Sequence, residues 1–175
     1  MTSNLPSIRK DFKAVAKAIT DATKEYDDGE TAICFMGHGT EAESNQVYAK
    51  MQQVLSDEGF ENYYVGTVEA EPSLEDVLKA VGEKEYKKVV LEPLMVVAGD
   101  HANNDMAGDE DGSWKTEFEK AGYEVTCLVR GLGELPEIQQ LYVEHAQVAI
   151  DSLRLTRRIV SQPALARYQP EEYKP

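Results

Sequence analysis

Four short apolar stretches alternate with amphipathic stretches along the chain, and they predict four buried β-strands. The strands are expected at TAICFM (31–36), YYVGTV (63–68), KKVVLEPLMVV (87–97) and YEVTCLV (123–129). Runs of β-branched and other apolar residues bounded by turn residues are typical of strands covered on both faces. Pro93 lies near the end of the third run, where a proline is tolerated.

The amphipathic stretches predict helices before and between these strands. Over residues 7–26 the apolar positions recur at the i, i+3, i+4 spacing of one helical face, at Phe12, Val15, Ala16 and Ile19. The polar sequence DDGE then breaks this pattern.

Capping patterns predict where the next two helices begin. Thr40 with Glu43, and Ser73 with Asp76, have the spacing of a capping box, whose side chains bind free N–H groups of the first turn. The second helix is expected to end at Gly59, because glycine commonly terminates helices.

Two further helices complete an alternating order of helices and strands. One is expected from about Ser113 to Lys120, before Gly122, and the last begins near Pro136. This order predicts an α/β fold, a three-layer sandwich with a four-stranded parallel sheet flanked by helices. The connections are short except for 98–112, and such a long loop indicates a functional segment.

Three chemically capable residues follow the first three strands at near-equal spacing. His38, Glu69 and His101 are 31 and 32 residues apart, which is about one βα unit. Because parallel strands end at the same edge of a sheet, where open α/β folds bind ligands, we expect the three to converge. Two imidazoles and a carboxylate suit a divalent ion such as Co²⁺, Ni²⁺, Fe²⁺ or Zn²⁺. They can equally act as bases, because histidine titrates near neutrality.

Each of these residues also has a simpler interpretation. His38 can bond a backbone carbonyl, and Glu69 can be one of several solvated acids in its loop. His101 can be a loop histidine beside the carboxylates of Asp100 and Asp105. These alternatives leave a metal-independent α/β domain with structural histidines as one hypothesis.

The third histidine is expected to pack rather than to bind a metal. His145 shares a helical stripe with Ile138, Leu141, Tyr142 and Val148. It is therefore left out of the predicted site.

Charge and composition narrow the classes of partner. The 175 residues carry 32 acidic and 18 basic side chains, for a net charge of −14. Nucleic acid is an unsuitable partner, since its binding needs clustered lysine and arginine. The sequence has neither a membrane-spanning apolar run nor a secretion signal, so we expect a cytoplasmic protein. Cys34 and Cys127 are expected to be buried in strands and do not indicate disulfides.

Four sequence strings together resemble the anaerobic cobaltochelatase family of the CbiK type, which inserts Co²⁺ into sirohydrochlorin. They are FMGHGT (35–40), VGTVEAEPS (65–73), PLMVVAGDHANNDMAGDEDGSWK (93–115) and GLGE (131–134). The third string is long and unusual, which makes the resemblance specific. It covers roughly residues 7–153.

The resemblance implies a chelatase that exchanges two pyrrole protons of a tetrapyrrole for one metal ion, with Co²⁺ as substrate and no organic cofactor. It implies His38 as metal ligand and base, Glu69 as ligand or proton carrier, and His101 as ligand. Tetrapyrrole carboxylates need cationic partners, and Arg130 is the first one expected, with the arginines of the segment 154–175 as weaker candidates. Gly37 and Gly39 let a planar ligand approach His38 closely.

Members of this family usually have two similar lobes with the active site between them, and this chain is similar to the C-terminal lobe. We expect one chelatase-like lobe over 1–153, in which 1–28 resembles the helix connecting the lobes, and an irregular arm over 154–175. The other wall of the cleft then comes from a missing lobe or from a homo-oligomer. A tetrapyrrole or metal binding protein without turnover, an inactive single-lobe fragment, and insertion of Fe²⁺ or Ni²⁺ are the alternatives.

Overall fold

The order of helices and strands is the alternating one that the sequence pattern predicts. A computed structural model describes residues 5–161, and side chains over 10–154. Its main elements are α1 (Leu5–Thr23), β1 (Thr31–Gly37), α2 (Gln46–Asp57), β2 (Tyr63–Thr67), α3 (Leu74–Gly82), β3 (Lys88–Pro93), α4 (Trp114–Lys120), β4 (Glu124–Cys127) and α5 (Pro136–Ser161). The sheet belongs to a unit that ends at Gln139, and the rest of α5 belongs to a second unit.

The four strands form one parallel sheet in the order β2-β1-β3-β4. All seven residues of β1 are buried, as expected of a central strand covered on both faces. In the register, Phe35 of β1 lies beside Val65 of β2 and beside Glu92 of β3. The predicted α/β fold with a four-stranded parallel sheet flanked by helices is confirmed.

Alternating side chains of the sheet pack against two different helical layers. On one face, Cys34 and Met36 share a core cluster with Val77 of α3 and with Trp114 and Phe118 of α4. The cluster leaves the intervening residues of β1 for the opposite face, because successive side chains of a strand alternate.

The opposite face of the sheet packs against α1 and α2. Phe35 stacks on Tyr63 of β2, and the Thr23 hydroxyl at the end of α1 donates to the Tyr63 hydroxyl at 3.3 Å. Ile19 of α1 and Leu55 of α2 are fully buried. The sheet is therefore covered on both faces, and its strand ends are left for a site.

One of the two predicted capping boxes is confirmed and the other is wrong. Ser73 and Asp76 bond each other's backbone N–H groups at the start of α3. Thr40 instead accepts from the N–H of Ala42 at 3.2 Å, and its own N–H donates to Asn45 at 3.0 Å. These bonds close a loop, so α2 begins only at Gln46, after a 3₁₀ turn at Glu43–Asn45.

The third strand is shorter than predicted, because the chain turns away after Pro93. The N–H of Leu94 still bonds Met36 of β1 at 2.7 Å. The next carbonyls, of Met95 and Val96, accept instead from Leu132 and Gly133 in the loop after β4, at 2.8 and 2.9 Å. The two loops brace each other. The long loop is also not irregular throughout, since His101–Met106 forms a π-helical turn.

The last helix begins at Pro136, as predicted, and continues to Ser161. The first part of the segment expected to be irregular, 154–161, is helical, because proline does not occur there before position 163. Residues 162–175 of the expected arm lie outside the described residues, and the lobe boundary at 153 stays a prediction. His145 is exposed rather than packed. Over 5–161, no helix is both long and apolar enough to cross a bilayer.

A buried ion pair ties α1, β3 and the loop after β4 together. Nε of Arg130 donates to Oε1 of Glu92 at 2.7 Å, and its Nη2 donates to the carbonyl of Ala22 in the last turn of α1 at 2.8 Å. The Glu92 side chain is only 1% exposed, whereas that of Arg130 is 32% exposed. Burial raises the pKa of Glu92, and the bond to Arg130 opposes that rise. The Arg130 guanidinium thus offsets part of the cost of burying the Glu92 carboxyl group.

We expect Arg130→Ala to lower the free energy of unfolding by about 3 kcal/mol near neutral pH, because Glu92 loses its partner in the core. Raising the folded-state pKa of Glu92 above its usual 4.5 gives a contribution to stability that is full below that value and is lost as pH rises through the raised pKa. Arg130→Ala removes the bond that opposes this rise in pKa, so Glu92 takes up a proton more readily in the variant. The stability that the variant loses should therefore be smaller at about pH 5 than at about pH 7. Urea unfolding at both pH values measures it.

The double variant Glu92→Leu/Arg130→Met is the control, because it removes both charges and leaves apolar side chains of similar size. It should recover most of the lost stability. A double variant as unstable as Arg130→Ala would contradict the role assigned to the ion pair.

Candidate metal centre

Backbone hydrogen bonds continue the pairing of β1 and β2 past the ends of both strands. The N–H of Val68 donates to the carbonyl of Gly37 at 3.0 Å, and that of Glu69 donates to the carbonyl of His38 at 2.9 Å. His38 and Glu69 are therefore held side by side at the carboxyl edge of the sheet.

The glycines around His38 are required by the local packing. A Cβ at Gly37 would fall 2.0 Å from Cε1 of Tyr48, so this glycine makes room for the tyrosine ring. Gly39 has a φ of +87°, and a Cβ there would approach the backbone nitrogen of Ala70 to 2.8 Å. The Gly39 N–H donates to the Tyr48 hydroxyl at 3.2 Å. A role of Gly37 and Gly39 in substrate binding stays a prediction.

The loop that carries Glu69 is closed by the side chain of Thr67. The Thr67 hydroxyl accepts from the N–H of Ala70 at 3.1 Å and donates to the carbonyl of the same residue at 2.5 Å. The N–H of Thr67 itself bonds the carbonyl of Pro72 at 2.7 Å. Glu69 thus lies at the tip of a tight turn, and its position is set by backbone geometry.

His101 reaches the same edge on the π-helical turn. Ala102 and Met106 of this turn are fully buried, and Met106 belongs to the core cluster of α3 and α4. The amide of Asn103 donates to the carbonyl of Gly99 at 2.8 Å and reinforces the start of the turn. Single π-helical turns of this kind are frequent at functional sites.

The structure brings His38, Glu69 and His101 together. One ligand atom from each lies within 4.8 Å of the other two. Nδ1 of His38 is 3.5 Å from Oε2 of Glu69, and Nε2 of His101 is 4.0 Å from Oε1 of the same carboxylate. The two imidazole rings meet edge to face, with centroids 4.6 Å apart.

This arrangement fits a divalent metal ion bound at an open site. Ligand atoms about 2.0–2.2 Å from one ion lie about 3–4 Å from each other. Small side-chain rotations would therefore let His38, Glu69 and His101, called the triad below, bind the same ion. The side chains are 49%, 53% and 32% exposed for His38, Glu69 and His101. Three ligands facing solvent leave positions for a further ligand, in contrast to a closed structural site.

Both histidines also make the hydrogen bonds that their simpler interpretations predict. Nδ1 of His38 lies 3.0 Å from the carbonyl of Gly39, and Nδ1 of His101 lies 2.7 Å from Oδ2 of Asp105. A metal-ligating imidazole usually has such a partner at its other nitrogen, as His101 does, whose Nε2 faces Glu69. In His38 the Nδ1 that bonds Gly39 also faces Glu69, so Nε2 is the nitrogen left to bind an ion. The simpler interpretations and metal binding are therefore compatible.

An acidic cleft begins next to His101. It has a volume of about 590 Å³ and is lined by Asn104, Asp105, Gly108, Asp109, Glu110, Asp111, Gly112 and Ser113. Two lysines balance part of its charge, since Lys115 pairs with Asp109 and Lys120 with Asp111. The bond to Lys115 lowers the pKa of Asp109. The cleft shares Asp105 with the bond to His101, and its negative charge favours cations.

Arg130 lies after β4, but its guanidinium is engaged by Glu92 and Ala22. Its expected contact with substrate carboxylates stays a prediction. The sequence interpretation missed Tyr48 and Thr67. Tyr48 bonds the loop after β1 from α2, and Thr67 closes an irregular turn with Ala70, and neither contact produces a periodic pattern. Asp105 was recognised only as a nearby acid, although its spacing of four residues from His101 already predicts a shared helical face.

Comparison with known proteins agrees with the resemblance. Residues 2–151 match the family described as Cobalt chelatase (CbiK). The chain is 38% identical over 119 residues to a sirohydrochlorin cobaltochelatase of Salmonella typhimurium, covering 68% of this chain and 45% of that protein. It is 30% identical over 122 residues to sirohydrochlorin cobaltochelatase CbiKC of Nitratidesulfovibrio vulgaris, covering 70% and 43%.

The chain spans less than half the length of these curated relatives. The family match nevertheless covers the whole sheet and all three residues of the triad. By its fold, its sequence strings and this match, the chain belongs to the cobalt chelatase (CbiK) family.

Proposed function

We propose that this chain is the metal-inserting lobe of a sirohydrochlorin cobaltochelatase, a lyase of anaerobic cobalamin biosynthesis. It takes Co²⁺ as substrate metal, exchanges it for two pyrrole protons of the tetrapyrrole, and uses no organic cofactor. The observation that carries the proposal is the open cluster of His38, Glu69 and His101 in a member of this family. We also propose that the protein acts in the cytoplasm.

In this proposal the three residues divide metal binding and proton removal. His101 and His38 bind Co²⁺ through imidazole nitrogens, and Glu69 supplies an oxygen between them. Two protons must leave the macrocycle for each ion inserted. Once the ion has left it, His38 accepts each of the two protons in turn and passes it to Glu69, which releases it to solvent, because the two side chains are 3.5 Å apart and both about half exposed.

An open site suits an ion that must be handed on. The remaining coordination positions are filled by water and then by pyrrole nitrogens, so that protein ligands are replaced one by one. The ligand set does not by itself select cobalt, because imidazole and carboxylate also bind Fe²⁺ and Ni²⁺. Insertion of Fe²⁺ and Ni²⁺ should therefore be measured in the same absorbance assay as insertion of Co²⁺.

Co²⁺ binding should depend on the triad. We expect His38→Ala and His101→Ala each to weaken binding of Co²⁺ by at least about tenfold, since even a hydrogen-bond partner of a metal ligand typically contributes 10–100-fold. Titration followed by the Co²⁺ absorption bands measures the dissociation constant. His145→Ala, the same substitution outside the triad, is the control and should bind as the unaltered chain does; equal loss in all three variants would contradict the site.

Metal insertion should be observed directly when sirohydrochlorin and Co²⁺ are incubated anaerobically with the chain, as a homodimer or together with a separately produced second lobe. We expect the absorbance to change to that of the cobalt product, and Glu69→Gln to slow this change about 10²-fold or more, as for loss of a proton-transferring group. Glu71→Gln, two residues away in the same loop, should retain the rate. Binding of sirohydrochlorin without insertion would instead support a tetrapyrrole-binding protein.

We further propose that the other wall of the tetrapyrrole cleft comes from a second lobe or from a second copy of this chain. The triad side chains are a third to a half exposed, and Val96 and Val97, in the loop that leads to His101, are exposed as well. Those valines are 49% and 73% exposed. An apolar macrocycle or a partner surface would cover them.

Light scattering separates the two sources of the second wall. A homodimer should give twice the 19.5 kDa mass of the chain and insert Co²⁺ without any addition. A monomer that inserts Co²⁺ only when a separately produced lobe is added would indicate the second lobe. A monomer fully active alone would contradict the need for another wall.

A further inference from the structure

The two histidines of the triad bond chemically different acceptors through the same ring atom. Nδ1 of His38 lies 3.0 Å from the carbonyl oxygen of Gly39, a neutral dipole. Nδ1 of His101 lies 2.7 Å from Oδ2 of Asp105, a carboxylate that carries a full negative charge when ionised. Hydrogen bonds to an ionised acceptor are shorter and about twice as strong as neutral ones. The two imidazoles are therefore held with unequal strength.

The bond to Asp105 determines which nitrogen of His101 is available to a metal. A carboxylate only accepts hydrogen bonds, so the proton of the neutral imidazole is held on Nδ1. The lone pair is then on Nε2, the atom that lies 4.0 Å from Glu69. A carboxylate behind an imidazole also makes the opposite nitrogen a more basic ligand.

The π-helical turn keeps this pair in register. His101 and Asp105 are four residues apart, and the buried Ala102 and Met106 fix the side of the turn that faces the core. The lysines of the adjacent cleft pair with other acids, Lys115 with Asp109 and Lys120 with Asp111. Asp105 is thereby left to His101, although its side chain is 48% exposed.

We propose that Asp105 is a positioning residue that makes His101 the anchoring ligand of the triad, while His38 is the ligand that releases the ion. Asp105 holds His101 with its proton on Nδ1, ready to bind a divalent ion through Nε2. His38 has a backbone carbonyl at hydrogen-bond distance, while the nearest carboxylate, Glu69, is farther from Nδ1 at 3.5 Å and is itself a ligand of the triad, so His38 gives up the ion more readily. The anchoring applies to any divalent ion, whereas the release step rests on the proposed function.

The tautomer of His101 can be measured without any metal. Long-range ¹H–¹⁵N correlation spectra of the histidine-labelled chain at about pH 8, where imidazoles are ordinarily neutral, distinguish a proton on Nδ1 from one on Nε2. We expect His101 to carry it on Nδ1, and Asp105→Ala to shift it toward Nε2, the form that a free imidazole prefers. His145 is an internal reference. An unchanged His101 spectrum in Asp105→Ala would overturn the proposal.

Affinity for Co²⁺ provides the second measurement, with charge controlled. Asp105→Ala should weaken binding about 10–100-fold. Asp105→Asn retains an oxygen acceptor and should keep the Nδ1 proton while losing less affinity. Glu110→Gln removes the same charge from the same cleft without a bond to His101, and it should bind Co²⁺ as the unaltered chain does. A loss in Glu110→Gln equal to that in Asp105→Asn would reduce the effect to long-range charge and overturn the proposal.

Steady-state insertion assays then test the division between the two histidines. Asp105→Ala should raise KM for Co²⁺ about 10–100-fold with little change in kcat, because an anchor contributes to holding the ion and not to its release. A fall in kcat by a similar factor, with KM for Co²⁺ unchanged, would contradict the anchoring role. Far-UV circular dichroism verifies folding, and Asp105→Asn serves if Asp105→Ala is unfolded.

These results separate the proposal from the proposed function. If the unaltered chain inserts no Co²⁺ but Asp105→Ala loses the Nδ1 proton and the affinity, the anchoring stands and the proposed function fails. If insertion occurs and Asp105→Ala changes neither tautomer nor affinity, the proposed function stands and the anchoring fails.

Discussion

The parallel direction of the four strands is the constraint on which the site depends. Each strand ends at the same edge of the sheet, so residues far apart in sequence meet after their strands. The hydrogen bonds from Val68 to Gly37 and from Glu69 to His38 extend this pairing beyond the strands themselves. His38 and Glu69 are therefore neighbours because of backbone geometry. No contact between their side chains is needed to bring them together.

The sequence predicted the parts of the structure that follow from periodicity, and it missed those that follow from distant contacts. The apolar runs predicted the sheet and its edge, and the even spacing of His38, Glu69 and His101 predicted their convergence. The end of β3 at Pro93 depends on carbonyls that bond Leu132 and Gly133, which lie far along the chain. The engagement of Arg130 with Glu92 could not be predicted, because a lone buried acid gives no local signal.

Charge is distributed so that the two substrates of the proposed reaction meet different surroundings. The acidic cleft beside His101 attracts a cation, whereas the carboxylates of a tetrapyrrole are repelled by a chain of net charge −14. The one arginine expected to offset this is held by Glu92 and Ala22. Under the proposed function, cationic contacts to the macrocycle then come from residues other than Arg130, and the surroundings of His101 suit the metal ion.

The π-helical turn sets the angular phase of the site. An α-helix rotates by about 100° per residue, and a turn closed by the wider bond from the N–H of Ala107 to the carbonyl of Ala102 holds one residue more. Residues four apart share a face of a helical turn, so Ala102 and Met106 both reach the core while His101 and Asp105 share the open side. A residue inserted between Ala102 and Asp105 would change the spacing within both pairs at once, so the core-facing pair and the triad-facing pair cannot be altered separately. The candidate metal centre thus depends on the number of residues in this turn as well as on their identities.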